Sequence, residues 1–288
     1  MLIPSPGSGR IAATSADGFD FIGARCGPLI ENNFFDHLQD DNIVISLRGN
    51  EIKSHEGNHV QLTGQSGTWY EPGDTVEVVS PLEGVPHDYK IVSMPPQTNL
   101  WQPPMLTLDR PLEGTIVNAG GDYPTLVHNK SWRLDGTIIR HNTFQNTRRY
   151  AVFMGAGGVT IEDNTMSNFT DAALLLSYTE NIKTGRGKIN YYPSTNIVVK
   201  NNKIANAVNF GEEGRVFDGS PRGAIDLYDA PRNTLGFGDI HLARDITIED
   251  NTITDCGNAG IHIANASNVS ITGNTVINPN LRLVAKQS

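Results

Sequence analysis

At 288 residues with a formal net charge of −9, the chain is long enough for one large domain. It lacks the clustered Lys and Arg that nucleic-acid binding draws on, so a polyanion partner is excluded and a neutral ligand fits better. The 29 Gly and 16 Pro, with hydrophobic residues at 38%, favour many short strands and turns over helices, and no apolar run approaches the roughly 18 residues of a membrane span.

In chain order, the opening MLIPSPGSGR lacks the basic and apolar regions of a signal peptide. The first strand-like run, ADGFDF, follows within about 20 residues and no capping element precedes it. That start implies either an N-terminally incomplete chain or an uncapped end through which subunits associate. Then come LIENNFF and, further on, TIIRHNTF, VTIEDNTM, IVVKNNKI, ITIEDNTI and VSITGNTV. Each is an alternating strand, an asparagine and another apolar residue, which is an internal repeat. The aligned residues are Asn33, Asn142, Asn164, Asn202, Asn251 and Asn274, and the steps from 142 to 164 and from 251 to 274 are 22 and 23 residues. That is one coil of a parallel β-helix. Stacked asparagines can hydrogen-bond from coil to coil, and they tolerate left-handed backbone geometry.

A second strand follows about ten residues after each asparagine: DNIVISL, RYAVFMG, DAALLLS and AGIHIAN, with RGAIDLY displaced downstream. The 49 residues from Asn202 to Asn251 fit two coils or one coil with a long loop, for which residues 209–221 are the candidate. The 109 residues from Asn33 to Asn142 exceed one coil by far. Between them VQLTG, TVEVVSP, YKIVSM and MLTLDRPL, separated by Pro and Gly, predict the hairpins of a small barrel or sheet. The expected architecture is all-β: a right-handed parallel β-helix with an inserted β-barrel-like subdomain, divided as residues 1–49, 50–128 and 129–288.

The repeat also serves as a ruler. Seven residues after the asparagines lie Asp40, Arg149, Asp171 and Asn258, and 23 residues before Asp40 lies Asp17. Coils stack about 4.8 Å apart, so Asp17, Asp40 and Asp41 should meet in one acidic patch beside Arg149 and Asp171. Like charges raise one another's pKa, as a general acid requires, and paired carboxylates are the apparatus of glycoside hydrolysis. Asp20 is placed beside Asp17, and Asp226 and Tyr228 are further candidates for lining a sugar groove. Nothing spaces the eight histidines as metal ligands, so no metal or cofactor is expected, and His141 and His262 read as solvated surface. Trp69, Trp101 and Trp132 fit a sugar platform, a barrel core or the solenoid junction. Cys26 and Cys256 fall on distant coils and read as free, buried thiols.

The run ADGFDFIGARCGPLIENNFFDHLQDDNIVI, the insertion containing YEPGDTVEVVSP and the return through TIIRHNTFQNTRRYAVFMGAGGVTIEDNTM together resemble glycoside hydrolase family 110. That family comprises inverting, exo-acting α-1,3-galactosidases. The resemblance covers roughly residues 5–175 in order. It implies Asp17 as general acid, Asp40 and Asp41 as the carboxylates that activate water, Arg149 near the sugar pocket, a terminal α-galactose of a glycan as substrate, and a secreted or periplasmic location. The segment SYTENIKTGRGKINYY departs from the family pattern. Two other readings remain: a Ca²⁺-dependent polysaccharide lyase in which the aspartates hold the ion, and a non-catalytic glycan-binding solenoid.

Overall fold

The computed structural model describes residues 12–64, 68–80, 82–83, 85–99, 102–121, 124–178, 190–209, 222–228 and 243–281. Alternation of apolar and polar residues breaks the chain into short strands. The first four are β1 (Phe19–Ile22), β2 (Leu29–Glu31), β3 (Phe34–Asp36) and β4 (Ile43–Ser46). Six more belong to the insertion: β5 (Arg48–Glu56), β6 (His59–Leu62), β7 (Thr75–Val79), β8 (Pro86–Ser93), β9 (Met105–Leu108) and β10 (Leu126–Asn129). The coils resume with β11 (Thr137–Arg140), β12 (Thr143–Thr147), β13 (Val152–Gly155), β14 (Gly157–Glu162), β15 (Thr165–Phe169) and β16 (Leu174–Tyr178). After β17 (Asn190–Tyr191), which pairs with β5 of the insertion, they continue with β18 (Thr195–Lys200), β19 (Lys203–Ala205), β20 (Gly223–Tyr228), β21 (Ala243–Glu249), β22 (Thr252–Thr254), β23 (Ala259–Ala264), β24 (Ala266–Thr272) and β25 (Thr275–Ile277).

Three parallel six-stranded sheets form the solenoid: β2-β11-β14-β18-β21-β24, β3-β12-β15-β19-β22-β25 and β1-β4-β13-β16-β20-β23. Inward residues such as Phe35, Ile139, Ile161, Leu174, Ile225 and Ile248 make one core along the axis, and Phe35 stacks on Phe144 with ring centroids 4.8 Å apart.

The asparagine ladder is continuous. In each step the backbone amide of one asparagine donates to the side-chain Oδ1 of the next, from Asn33 to Asn142 (2.9 Å), Asn164, Asn202, Asn251 and Asn274. Each Nδ2 from Asn142 onward also bonds two backbone carbonyls, as in Asn164 to Ile139 and Glu162. Asn202 therefore stacks directly on Asn251, and the 49-residue step is one coil with an excursion. The expected loop at 210–221 lies outside the described residues. The ladder asparagines do not themselves take left-handed backbone. That geometry falls one residue before them, at Asn32, His141, Asp163, Asn201, Asp250 and Gly273, and four after, at His37, Asn146, Asn168, Asn206, Asp255 and Asn278. His141 is thus an exposed turn residue rather than a strand position.

Between β4 and β11 the chain leaves the solenoid for the insertion, whose strands pair in the order β10-β7-β8-β9-β6-β5 and close through β10 with β5. This closed barrel has its own core, including Ile52, Leu62, Tyr70, Val78, Tyr89, Leu106 and Val127. Two acidic residues pin it to the solenoid. Asp74 contacts Arg25 at 2.8 Å and accepts from Asn129 and from the indole of Trp132, while buried Glu77 accepts from the Tyr192 hydroxyl at 3.3 Å and lies 3.8 Å from Arg244. Trp132 belongs to this junction, with Arg25 over its ring, and Trp69 donates to Glu71. Trp101 lies outside the described residues. Among the described residues no helix is long and apolar enough to cross a membrane. Both cysteines are free, but only Cys256 is buried. Cys26 is exposed, on the turn between β1 and β2.

Candidate active site

The third sheet, β1-β4-β13-β16-β20-β23, positions the acidic patch. Its registers, Phe19 with Ile43, Ile43 with Val152, Val152 with Leu174 and Leu174 with Ile225, also align the residues that enter each strand. Two rows result. One runs Asp40, Arg149, Asp171, Arg222, and its charge alternates from coil to coil. The other runs Asp17, Asp41, Tyr150. Asp17 therefore stands opposite Asp41, one position away from the partner that counting 23 residues from Asp40 assigns it. The first coil step is 24 residues long, from Phe19 to Ile43, and strand pairing sets the register.

All three carboxylates nonetheless converge: one oxygen of each of Asp17, Asp40 and Asp41 lies within 4.8 Å of the others. Arg149 is wedged beside them, its Nη1 donating to Asp40 Oδ1 at 2.7 Å and its Nε lying 3.8 Å from Asp41 Oδ1. The guanidinium rests on the Tyr150 ring at 5.2 Å. Tyr150 is buried, and its hydroxyl donates to Asp171 Oδ2 at 3.3 Å. Asp20 is exposed on the outer face of β1, in register with Val44, away from the row that Asp171 occupies.

Burial decides the electrostatics. Asp41 is 5% exposed, and its Oδ1 has no hydrogen-bond partner among the described residues. Desolvation pushes its pKa up to about 7, with the charges of Asp40 and Asp17 adding, while Arg149 and the backbone amide of Tyr150 pull the other way. Asp17 is raised as well, by partial burial first and then by Asp40 and Asp20. Carboxylates this close titrate as a coupled system, so the patch holds a proton in solutions where isolated aspartates would hold none. The same three residues are the described group that could ligate a metal ion, but Arg149 already supplies a cation between two of them.

Sequence reasoning missed Arg222. Its Nε lies 3.9 Å from Asp171 Oδ1 and its Nη1 donates to Asp226 Oδ2 at 3.2 Å. The signal that could have found it was the alignment of RGAIDLY with DAALLLS, which puts Arg222 over Asp171. Counting seven residues from Asn202 instead lands on Asn209, because an excursion separates the two strands. His262 is likewise no isolated surface residue, since its Nδ1 lies 2.7 Å from Asp226 Oδ1. The side chain of Tyr228 lies outside what the structure describes, as does most of SYTENIKTGRGKINYY.

Three parallel sheets wound around one core, braced by an asparagine ladder and carrying three carboxylates and an arginine at one corner, define a β-solenoid with a polar, acid-bearing edge. The chain belongs to the right handed beta helix region family, whose model matches residues 112–285. It is 26% identical over 298 residues to alpha-1,3-galactosidase A from Peterkaempfera griseoplana, an alignment covering 96% of this chain and 38% of that protein. The chain thus spans well under half the length of that relative, and the match extends the likeness to glycoside hydrolase family 110 over nearly its whole length. Among solved structures it is similar to the tailspike protein gp49 from Pseudomonas phage LKA1, at 10% identity, covering 90% of this chain and 47% of that one with a TM-score of 0.21.

Proposed function

We propose that this protein is an exo-acting glycosidase that removes a terminal α-linked galactose, through an α-1,3 linkage, from a neutral glycan. The observation that carries the reading is the convergence of Asp17, Asp40 and Asp41 within 4.8 Å around Arg149. Such a patch offers one protonated carboxyl to the leaving oxygen and one carboxylate to water or to the anomeric carbon. In the assignment that the resemblance implies, Asp17 is the acid and Asp40 or Asp41 the base. The half-burial of Asp17 and the raised pKa of both stacked aspartates support a shared proton near neutral pH. Arg149 keeps Asp40 oriented, and the reading assigns Asp171 and the exposed Asp20 to sugar hydroxyls.

The resemblance implies inversion, in which acid and base usually stand about 6.5–9.5 Å apart. Retaining enzymes hold their two carboxyl groups about 5–5.5 Å apart, and the stereochemistry of release separates the two outcomes. The test is incubation with nitrophenyl α-galactoside and an α-1,3-galactosyl trisaccharide, following the anomer of the first sugar released by NMR. Inversion releases β-galactose first and retention α-galactose. Failure to release galactose from either substrate, by a chain shown to be folded, would sink the glycosidase reading. An unsaturated, ultraviolet-absorbing product lost on chelation would favour a lyase.

A further inference from the structure

The solenoid carries a second buried charged group on its outer surface, remote from the three carboxylates. On β20 the core takes Ile225 and Leu227, so Asp226 between them faces outward. On β23 Ile261 and Ile263 pack against the core, and His262, in register with Asp226, faces outward too. Between Asp20 on β1 and Asp226 the same outward row is filled by Val44, Phe153 and Leu175, which shows that the scaffold accepts apolar residues there. Asp226 is nevertheless only 1% exposed, with Oδ1 against His262 Nδ1 at 2.7 Å and Oδ2 against Arg222 Nη1 at 3.2 Å.

Taking a carboxylate and a guanidinium out of water is costly, and the fold does not demand it at this position. What the arrangement achieves is an oriented imidazole. With Nδ1–H donated to Asp226, Nε2 is left as an acceptor for an incoming hydroxyl, and the partly exposed ring has no other partner among the described residues. The Arg222–Asp226 pair is neutral, which suits an uncharged polyol better than an anion. The group is also tied to the first patch through Arg222, Asp171 and Tyr150. Four coil steps from β4 to β23, at about 4.8 Å each, put it roughly 19 Å along the axis.

We propose that Asp226 and His262 form a second, hydroxyl-accepting subsite that holds a neutral sugar several units away from the galactose removed. The substrate is then a longer glycan laid along the solenoid. This rests on the glycosidase reading for the direction of the chain, and the test separates the two. kcat/KM should rise with length across neutral oligosaccharides of about two to six sugars capped by α-galactose, a span set by the coil spacing. His262→Ala should erase the gain on the longest, roughly 2- to 12-fold for one neutral hydrogen bond. Independently of turnover, ring ¹⁵N signals of His262 in the Asp17→Asn protein should show the Nδ1–H tautomer and should shift with the hexasaccharide but not with methyl α-galactoside. A length gain that survives His262→Ala, an equal loss on every substrate including nitrophenyl α-galactoside, or an unshifted His262 signal overturns the subsite. Absence of any hydrolysis by the unmodified protein refutes the glycosidase reading alone, and the NMR arm still decides the subsite.

Discussion

Replacing Asp41 by Asn should make the protein more stable at alkaline pH while disabling it. Burial raises the folded-state pKa of Asp41 from an ordinary 3.8 to about 7. Each pH unit of such a difference is worth about 1.36 kcal/mol, so ionising this buried group costs the folded chain roughly 4 kcal/mol at most. The sign follows from proton counting. Between about pH 4 and 7 the folded state binds more protons than the unfolded one. The stability the protonated carboxyl confers is therefore complete below about pH 4 and lost as pH rises through about 7. A carboxamide at this position is nearly isosteric with the carboxyl and never charged. Asp41→Asn should therefore match the parent near pH 4 and exceed it above about pH 7, by up to several degrees in Tm. Thermal unfolding by circular dichroism at pH 4, 5.5, 7 and 8.5 reads this directly. Parallel Tm-against-pH curves for the two proteins would refute the claim that Asp41 is ionised at a cost, and with it the shared-proton picture of the patch.

Further outcomes follow from the same contacts. Asp17→Asn and Asp40→Asn should each lower kcat on nitrophenyl α-galactoside by about 10²–10⁴-fold with unchanged circular dichroism, the range for loss of one acid–base group. Near-normal turnover by both would dismiss their assigned roles. Arg149→Met removes the cation that lowers the Asp41 pKa, so any limb of the kcat/KM pH profile set by Asp41 should move to higher pH. An unmoved or acid-shifted limb would contradict that. Asn164→Ala deletes an amide bonded to Ile139, Glu162 and Asn202 and strands the Asn142 amide that it receives. It should cost about 2–4 kcal/mol in urea unfolding, since buried groups are left unpaired, whereas an exposed outer asparagine such as Asn168 should cost far less when replaced.

Much of the scaffold is legible in the residues because a β-helix repeats one requirement on every coil. A buried asparagine must answer the amide of its neighbour, so Asn33, Asn142 and Asn164 mark their coils even across the 109 residues that hold the barrel. The site is less legible. The ruler places Asp40, Arg149 and Asp171 in one row because no excursion lies between each of them and its asparagine. It fails at Arg222, where one does, and it misses by one residue at Asp17, where strand register and not residue count sets the partner. Left-handed positions are also hidden: Asn32 and Asn33 are the same residue type, and only the hydrogen-bonding demand on the second tells them apart.

The placement of the barrel explains how one chain accommodates both a regular core and an elaborate site. The barrel departs at the end of a third-sheet strand, β4, and the chain rejoins the solenoid at β11. The charged row lies at the start of the third-sheet strands. A parallel coil tolerates an excursion at one corner because pairing resumes in register on return, as Asn33 meeting Asn142 across the barrel shows. The cost of closing the longer loop grows only slowly with its length. Keeping the barrel at that corner leaves Asp40, Arg149 and Asp171 stacked along one edge of the ladder. The spacing between these charges is therefore set by the rigid backbone, while the surfaces around them are free to vary in size and sequence.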